Sequence, residues 1–245
     1  MRVQICGLVA VERDGFRRED ELPGRQGRLL LVYLVVHRDR LCTRDELAAA
    51  VWGDAPPPAW PSALSALLSR LRRVLGESAV STRGEVRLQL PADVWIDLEA
   101  AAAAVHRGES AVATGEVGRA GGAAQTALFA TRRALLHGED LPWVLALRRY
   151  LEEIHVRALE VYAAAALGLG GTEVATAERA ARELITLAPF RESATRMLMR
   201  ALATQGNVAQ ALVVFEDMRG RLRDELGAEP CVQTRDLHAE LLRRA

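Results

Sequence analysis

The sequence predicts a mainly α-helical protein with small β-sheets, built from two parts. Short apolar runs broken by turn signals occur near the N terminus and again between residues 80 and 90, with three helical periodicities between them. Alanine-rich helical periodicity then continues to the C terminus, and a length of 245 residues favours two domains over one. We therefore expect a mixed domain at residues 1–97 and an all-α domain at residues 98–245.

The charged residues exclude several functions. The chain carries 32 basic and 32 acidic residues, and every basic residue is an arginine. A neutral chain has no global field that draws it onto nucleic acid or an anionic membrane, so such binding requires a local patch. Because lysine is absent, a Walker A loop and every mechanism with a lysine nucleophile or Schiff base are excluded.

The apolar stretches and the cysteines indicate where the protein is expected to act. No stretch is apolar for long enough to cross a membrane, and the first residues lack the pattern of a signal peptide. Cys6, Cys42 and Cys231 are odd in number and far apart, which argues against a disulfide framework. We expect a cytoplasmic protein without membrane contact.

The first 60 residues predict a small antiparallel sheet followed by two helices. Asp14 and Gly15 form a hairpin turn signal within the apolar runs of residues 3–16. Thr43 and Glu46 have the spacing of a capping box, which predicts the start of the second helix. One apolar face of the first helix consists of Leu30, Tyr33, Leu34 and His37.

A third helix and a closing hairpin follow a loop with four prolines at residues 53–61. The leucine spacing of this helix predicts a buried stripe, and Gly76 is expected to end the helix. Residues 80–82 and 86–90 are expected to form the hairpin. Strands, three helices and a hairpin are the order of a winged helix-turn-helix. The stripe consists of Leu64, Leu68, Leu71 and Leu75.

The C-terminal part predicts a stack of helical hairpins. A pattern of Ala-Leu followed by glycine at residues 166–171 recurs at residues 201–206, close to the 34-residue period of tetratricopeptide arrays. The glycine-rich residues 108–122 predict a flexible loop between helices. The longest helix is expected from Trp143 onward, and such stacks bind protein on their concave surface. Its apolar stripe consists of Leu147, Leu151, Ile154, Ala158, Val161 and Ala165.

No residue pattern predicts an enzyme, a cofactor or a metal. The five histidines are scattered, and His37 lies on an apolar helix face, where a core role is far commoner than metal binding. The glycine-rich residues 168–171 follow a helix, whereas a dinucleotide-binding loop follows a strand. The sequence therefore predicts no catalytic residue, no cofactor-binding residue and no metal ligand.

A local excess of arginine is found on the third helix and the hairpin. Between residues 70 and 87 there are five arginines against two glutamates, on a chain that is otherwise neutral. A helix presented to a major groove beside a basic hairpin would bind DNA, but a solvated helix face has the same composition. The arginines are Arg70, Arg72, Arg73, Arg83 and Arg87.

Motifs along nearly the whole chain favour the first interpretation. In the first domain they are LPGRQ at 22–26, TRDEL at 43–47, VWGD at 51–54 and LSRLRRVL at 68–75. In the second they are RRYLEE at 148–153, LAPFRE at 187–192, LMRAL at 198–202 and DELGAEP at 224–230. The first set resembles the OmpR-type winged-helix domain of Streptomyces antibiotic regulatory proteins. The second resembles their tetratricopeptide-like bacterial transcriptional activator domain.

The resemblance implies a transcriptional activator of the short form, without the ATPase module of the larger members. It implies binding to direct repeats in double-stranded DNA near a promoter, in this family often as a homodimer arranged head to tail, and help in recruiting the RNA polymerase holoenzyme. This chain differs from the family at the recognition face, where Pro61, Ser65, Ala66 and Leu67 replace a more polar set. It also differs at the wing, where Glu85 adds a carboxylate and an aromatic residue is missing.

Ten residues are the candidate DNA contacts. On the third helix, Arg72 is expected to brace the backbone instead of facing the groove. The rival hypothesis is a tetratricopeptide-like interaction module whose winged helix no longer reads bases. The groove-facing candidates are Ser62, Ser65, Ser69, Arg70 and Arg73; the candidates at the start of the second helix are Arg40, Thr43 and Arg44; and those on the wing are Arg83 and Arg87.

Overall fold

The computed structural model describes residues 1–81 and 84–244 and divides the chain into two compact units. Unit 1 contains residues 1–100 and 133–151, and unit 2 contains residues 101–132 and the chain from residue 152 onward. The predicted fold class is confirmed, because a winged helix-turn-helix with small sheets is followed by a helical bundle. Residues 133–151 thus belong to the first unit, although they follow residues 101–132 of the second unit in the sequence.

Unit 1 begins with a four-stranded sheet in the order β3-β2-β1-β6. Its strands are β1 (Arg2–Gln4), β2 (Ala10–Arg13), β3 (Phe16–Arg17) and β6 (Trp95–Ile96). The predicted hairpin turn is confirmed, since Asp14 and Gly15 both have positive φ, at 55° and 80°, as the turns that fit strand twist require. Strand β6 pairs in parallel with β1, with Val3 opposite Ile96, which the sequence did not predict.

Three helices and a hairpin follow the first three strands. They are α1 (Gly24–Val36), α2 (Arg44–Trp52), α3 (Trp60–Leu75), β4 (Val80–Ser81) and β5 (Arg87–Leu88), with Val80 opposite Leu88 in the hairpin. Gly27 is needed in the first turn of α1, because a Cβ there would lie 2.1 Å from the Pro23 ring. The predicted stripe of α3 is confirmed: its four leucines are at most 4% exposed, and Leu67 and Val74 are buried beside them.

Residues 133–151 belong to unit 1 although they come after two helices of the second predicted domain. The Gly7 amide donates a hydrogen bond to the Ala134 carbonyl at 3.0 Å, and Leu135 is 2% exposed. A Cβ at Gly7 would lie 3.2 Å from the Arg133 side chain, and φ there is +84°. Gly7 therefore permits the close approach of this segment to the N-terminal sheet.

Asp97, at the predicted domain boundary, is a buried carboxylate that holds the N-terminal strand. Its two oxygens accept hydrogen bonds from the Ile5 and Cys6 amides, both at 2.9 Å. Burial raises the pKa of Asp97, and the backbone N–H groups oppose that rise. The residue thus fixes the start of α4 to β1.

Unit 2 contains most of the C-terminal helices. They are α4 (Asp97–Ala113), α5 (Val117–Thr131), α6 (Pro142–Leu169), α7 (Val174–Leu187), α8 (Glu192–Thr204), α9 (Val208–Arg221) and α10 (Val232–Leu242), with a π-helical turn at Leu222–Leu226. The first residues of α4 and of α6 belong to unit 1. Helices α7 to α10 bury one apolar cluster that includes Leu198, Met199, Leu202 and Phe215.

The prediction of a flexible loop at residues 108–122 is wrong. Gly108 lies in α4, residues 117–122 lie in α5, and residues 114–116 form the connection. A Cβ at Gly108 would lie 2.8 Å from the Val161 side chain of α6. The missing side chain thus permits close packing of helices, together with the fully buried Ala120 and Ala124.

The longest described helix is α6, as predicted. It has 28 residues, and all six residues of its predicted stripe are buried. Within residues 1–81 and 84–244, none of the helices has the length and apolar character needed to span a membrane.

Candidate nucleic-acid interface

The outer face of α3 carries the five residues predicted to face a groove. All five are exposed, since they lie on the side of the helix opposite the buried leucines. In the described part of the chain, neither Arg70 nor Arg73 forms an ion pair. Their guanidinium groups can therefore bind a ligand without breaking a protein contact. The five residues are Ser62, Ser65, Ser69, Arg70 and Arg73.

One residue expected on this face lies elsewhere. Leu67 is 7% exposed and packs in the core of unit 1, because α3 buries a wider side than a single row of leucines. Pro61 and Ala66 are exposed. Of the three side chains expected there that cannot form a hydrogen bond, Pro61 and Ala66 are thus left on the outer face.

Arg72 points away from the outer face, as expected. Its Nε donates to the Val80 carbonyl at 2.9 Å, which joins the last turn of α3 to strand β4. Arg72 thus braces the backbone of the hairpin.

Arg44, the first residue of α2, contacts the first turn of α3. Its Nη2 donates to the Ser65 hydroxyl at 2.6 Å and to the Pro61 carbonyl at 3.1 Å. Ser65 in turn donates to the same carbonyl at 2.8 Å. Sequence reasoning placed Arg44 at a phosphate and missed this contact, because no local pattern reports which helices pack together.

The start of α2 is held by the predicted capping box. The Glu46 amide donates to the Thr43 hydroxyl at 3.2 Å, and a Glu46 carboxylate oxygen accepts from the Thr43 amide at 3.4 Å. The same carboxylate accepts from the Tyr33 hydroxyl at 2.6 Å and from Arg40 at 3.1 Å. Arg40 is therefore paired with Glu46.

These contacts shift two pKa values in opposite directions. The Arg40 hydrogen bond is the main cause that lowers the pKa of Glu46 to about 2. Burial, followed by the hydrogen bond to the Glu46 carboxylate, raises the pKa of Tyr33 to about 12. At neutral pH the group consists of a carboxylate, a guanidinium and a neutral phenol.

The hairpin places one candidate residue beside the start of α2. Arg87 is exposed on β5, while Arg83 lies outside the described residues. Val86 and Cys42 exchange two backbone hydrogen bonds of 2.8 Å, so β5 is tied to the residue before Thr43. Glu85, also exposed, adds a negative charge next to this position.

Arginine side chains are found on the exposed face of α3 and beside it. Across residues 1–81 and 84–244, no group of three or more histidine, cysteine, aspartate or glutamate side chains is placed to hold a metal ion. What unit 1 does present is an exposed helix face with two arginines and a basic residue at each flank. Guanidinium groups bind guanine and phosphate in two-point geometry.

Two protein-family models match the chain. The model described as bacterial transcriptional activator domain matches residues 96–242, and the one described as transcriptional regulatory protein, C terminal, matches residues 21–85. The chain belongs to the bacterial transcriptional activator domain family. The preceding winged helix of the OmpR type makes it a member of the Streptomyces antibiotic regulatory protein family, which confirms the resemblance.

Curated relatives are regulators with further sequence beyond the matched part. Regulatory protein AfsR of Streptomyces coelicolor is 32% identical over 99% of this chain and 24% of its own length. Transcriptional regulatory protein EmbR of Mycobacterium tuberculosis is 28% identical over 89% of this chain and 57% of its own. The chain thus spans about a quarter of the length of AfsR.

A solved structure has the same fold. EmbR of Mycobacterium tuberculosis, in complex with a low affinity phosphopeptide, has a TM-score of 0.83 and 24% identity over 99% of this chain and 65% of that one. Both family models describe transcriptional regulators, and the named relatives are a regulatory protein and a transcriptional regulatory protein, not enzymes. The family to which this chain belongs is thus one of transcriptional regulators.

Proposed function

We propose that the chain activates transcription by binding direct repeats near promoters and helping to recruit the RNA polymerase holoenzyme. Residues 1–97 are assigned to DNA binding and residues 98–245 to activation, in the cytoplasm. The observation that carries the DNA-binding part is the pair Arg70 and Arg73, exposed on α3 without an ion pair among the described residues. Helix α3 would lie in the major groove.

The two arginines are the proposed base readers. They lie three residues apart, hence about one helical turn apart on the same face, and each can bind guanine through two hydrogen bonds. Ser62 and Ser69 can bond to several base edges, so they contribute contact without strong preference. Ser65 already bonds Arg44 and the Pro61 carbonyl, and we assign it a positioning role.

The flanking residues are the proposed phosphate contacts. Arg44 lies at the N terminus of α2 and Arg87 on the wing, and both are exposed or partly exposed. Arg40 and Thr43 would have to give up their contacts with Glu46 to bind phosphate. Arg83 is the second candidate on the wing. Each phosphate neutralised lowers the log–log salt slope by about 0.9, so three to five contacts give about −3 to −5 for a monomer.

Sequence preference beyond the two arginines requires another source. Pro61 and Ala66 are exposed on the face of α3 and offer no hydrogen bond to a base edge. DNA shape at positions that are not contacted, and the spacing of two half-sites bound by a dimer, would supply the remainder.

A second candidate is a protein-interaction module that no longer reads bases. Two observations favour it: the apolar residues on the α3 face, and the exposed Glu85 carboxylate on the wing, which repels phosphate. This module would act through the helical stack of unit 2.

A titration of the full chain against genomic DNA fragments at two salt concentrations separates the two candidates. A regulator that binds DNA as proposed retains selected fragments and loses affinity steeply with salt. Equal, weak binding to all fragments, or affinity that does not change with salt, contradicts the proposal and favours the interaction module.

Transcription in vitro with purified RNA polymerase holoenzyme tests the activation part. Templates carrying two direct repeats of a selected site should give more transcript with the chain present than templates carrying one. Activation that is independent of the second repeat would contradict binding as a dimer.

A further inference from the structure

We infer that Trp143 is a positioning residue for DNA binding, because it holds both ends of α2 in the helix-turn-helix. Trp143 lies within the sequence of the activator domain but is folded into unit 1. The inference rests on the proposed function and deepens it, since it extends the DNA-binding unit to residues 133–151.

The indole of Trp143 contacts the C-terminal end of α2 directly. Its Nε1 donates to the Ala50 carbonyl at 3.0 Å. Ala50 is one of the last four residues of α2, whose carbonyls have no partner within the helix. Trp143 therefore satisfies an acceptor that would otherwise require water.

The same ring contacts the N-terminal end of α2 through Tyr33. The rings of Trp143 and Tyr33 pack edge to face, with centroids 5.2 Å apart and planes at 84°. The Tyr33 hydroxyl donates to Glu46 at 2.6 Å, and Glu46 closes the capping box with Thr43. One side chain thus connects to both termini of this helix.

The segment that carries Trp143 is itself anchored in unit 1. Arg25 on α1 forms a two-point ion pair with the nearly buried Glu139, with its Nε 2.6 Å from Oε1. Leu135 is buried, and the Ala134 carbonyl accepts a hydrogen bond from the Gly7 amide at 3.0 Å. A Cβ at Gly53, directly after α2, would lie 3.2 Å from Leu141. These contacts hold the segment that carries Trp143 against α1 and the end of α2.

The position of α2 determines where Arg44 lies. Arg44 donates hydrogen bonds to Ser65 and to the Pro61 carbonyl on α3. The two helices therefore contact each other within the candidate nucleic-acid interface. Phosphate contacts fix the register of a protein on the duplex, so a tilt of α2 would move Arg44 and shift Arg70 and Arg73 relative to the base edges, while each arginine would keep the charge that non-specific binding requires. Loss of Trp143 should therefore weaken specific binding more than non-specific binding.

The test uses the full chain with three substitutions at these positions and one control. Trp143→Ala removes ring and hydrogen bond, Trp143→Phe keeps an aromatic ring without the N–H donor, and Tyr33→Phe removes the link to Glu46. The control is Tyr150→Ala, an aromatic residue on the same helix that is 46% exposed. Specific and non-specific DNA affinities are measured, and amide hydrogen exchange of α2 is measured without DNA.

We expect Trp143→Ala to weaken specific binding about five- to tenfold, with a change of less than about twofold for non-specific DNA. Amides of α2 should exchange faster, Trp143→Phe and Tyr33→Phe should fall between this variant and the wild type, and Tyr150→Ala should resemble the wild type. Rescue by phenylalanine would show that the aromatic contact contributes.

Two results would overturn the inference while leaving the proposed function intact. One is a Trp143→Ala chain that binds specific DNA as the wild type does. The other is a parallel loss of specific and non-specific binding, with unchanged exchange in α2, which indicates fewer folded molecules. A wild-type chain that selects no DNA sequence would instead overturn the proposed function, and with it any role of Trp143 in DNA binding.

Discussion

The outer face of α3 and the start of α2 each carry two candidate arginines for DNA contact, but these side chains are in different states. Arg70 and Arg73 on α3 are exposed and form no ion pair among the described residues. At the start of α2, Arg40 is paired with Glu46 and Arg44 bonds to Ser65. The count of arginines therefore overstates the number that can bind DNA without losing a protein contact.

This difference assigns separate roles to the two regions. The face of α3 is available for base reading, whereas the start of α2 is organised to hold its own helix and its neighbour in place. An exposed ion pair contributes about 0–1 kcal/mol, so Arg40 can leave Glu46 for a phosphate, but this change of partner adds little net affinity. Substitutions in the two regions should thus affect different measurements.

The largest effect is expected from the face of α3. Arg70→Ala or Arg73→Ala should each cost about 1–3 kcal/mol of specific binding, because a two-point contact to guanine is lost. Equilibrium titration with a selected DNA site measures this. Arg107→Ala, an exposed arginine on α4, is the matched control and should bind as the wild type does. Equal losses in all three variants would remove the distinction drawn for α3.

The next effect concerns the stability of unit 1 and not its affinity for bases. Thr43→Ala removes the side-chain acceptor for the Glu46 amide and should cost about 1 kcal/mol in the free energy of unfolding. Thr43→Ser keeps a hydroxyl and should be close to wild type. Denaturant unfolding provides the comparison, and an alanine variant as stable as the serine variant would contradict the capping role.

A smaller effect is expected from pH. The pKa of Glu46 is about 2 in the folded chain, below its ordinary 4.5, so its contribution to stability is present above pH 4.5. That contribution is lost as pH falls from about 4.5 to about 2. Glu46→Gln should therefore lower the melting temperature at pH 6 and have less effect at pH 3. A difference that is the same at both pH values would contradict the assigned shift.

The smallest effect on the α3 face is expected at Ser69. Its side chain is exposed, and a serine hydroxyl bonds to several base edges without strong preference. Ser69→Ala should change specific affinity by less than about 0.5 kcal/mol. A loss as large as that of Arg73→Ala would move the reading position along the helix.

The sequence predicted the helices of unit 1 well because their signals are local. The leucine spacing of α3 located its buried side, and Thr43 with Glu46 located the start of α2. Both patterns depend on residues within one or two turns, so they persist whatever the helices pack against. The outer position of Arg70 and Arg73 followed from the same spacing.

Contacts between distant parts of the chain could not be predicted. Trp143 bonds a carbonyl 93 residues away, and Arg25 pairs with a glutamate 114 residues away. Neither leaves a periodic pattern, so residues 133–151 were assigned to the second domain by sequence order. At Gly108 the predicted flexible loop was wrong, because composition alone does not distinguish a flexible loop from tightly packed helices.

Selection of binding sites from random DNA tests the central claim that α3 reads bases through Arg70 and Arg73. The wild type and Arg107→Ala should enrich the same motif, while Arg70→Ala and Arg73→Ala should each lose preference at one base pair of each half-site. Arg87→Ala should keep the motif and lower the magnitude of the salt slope by about one. If both α3 variants enrich the wild-type motif unchanged, then α3 does not read the bases, and the interaction module becomes the better account.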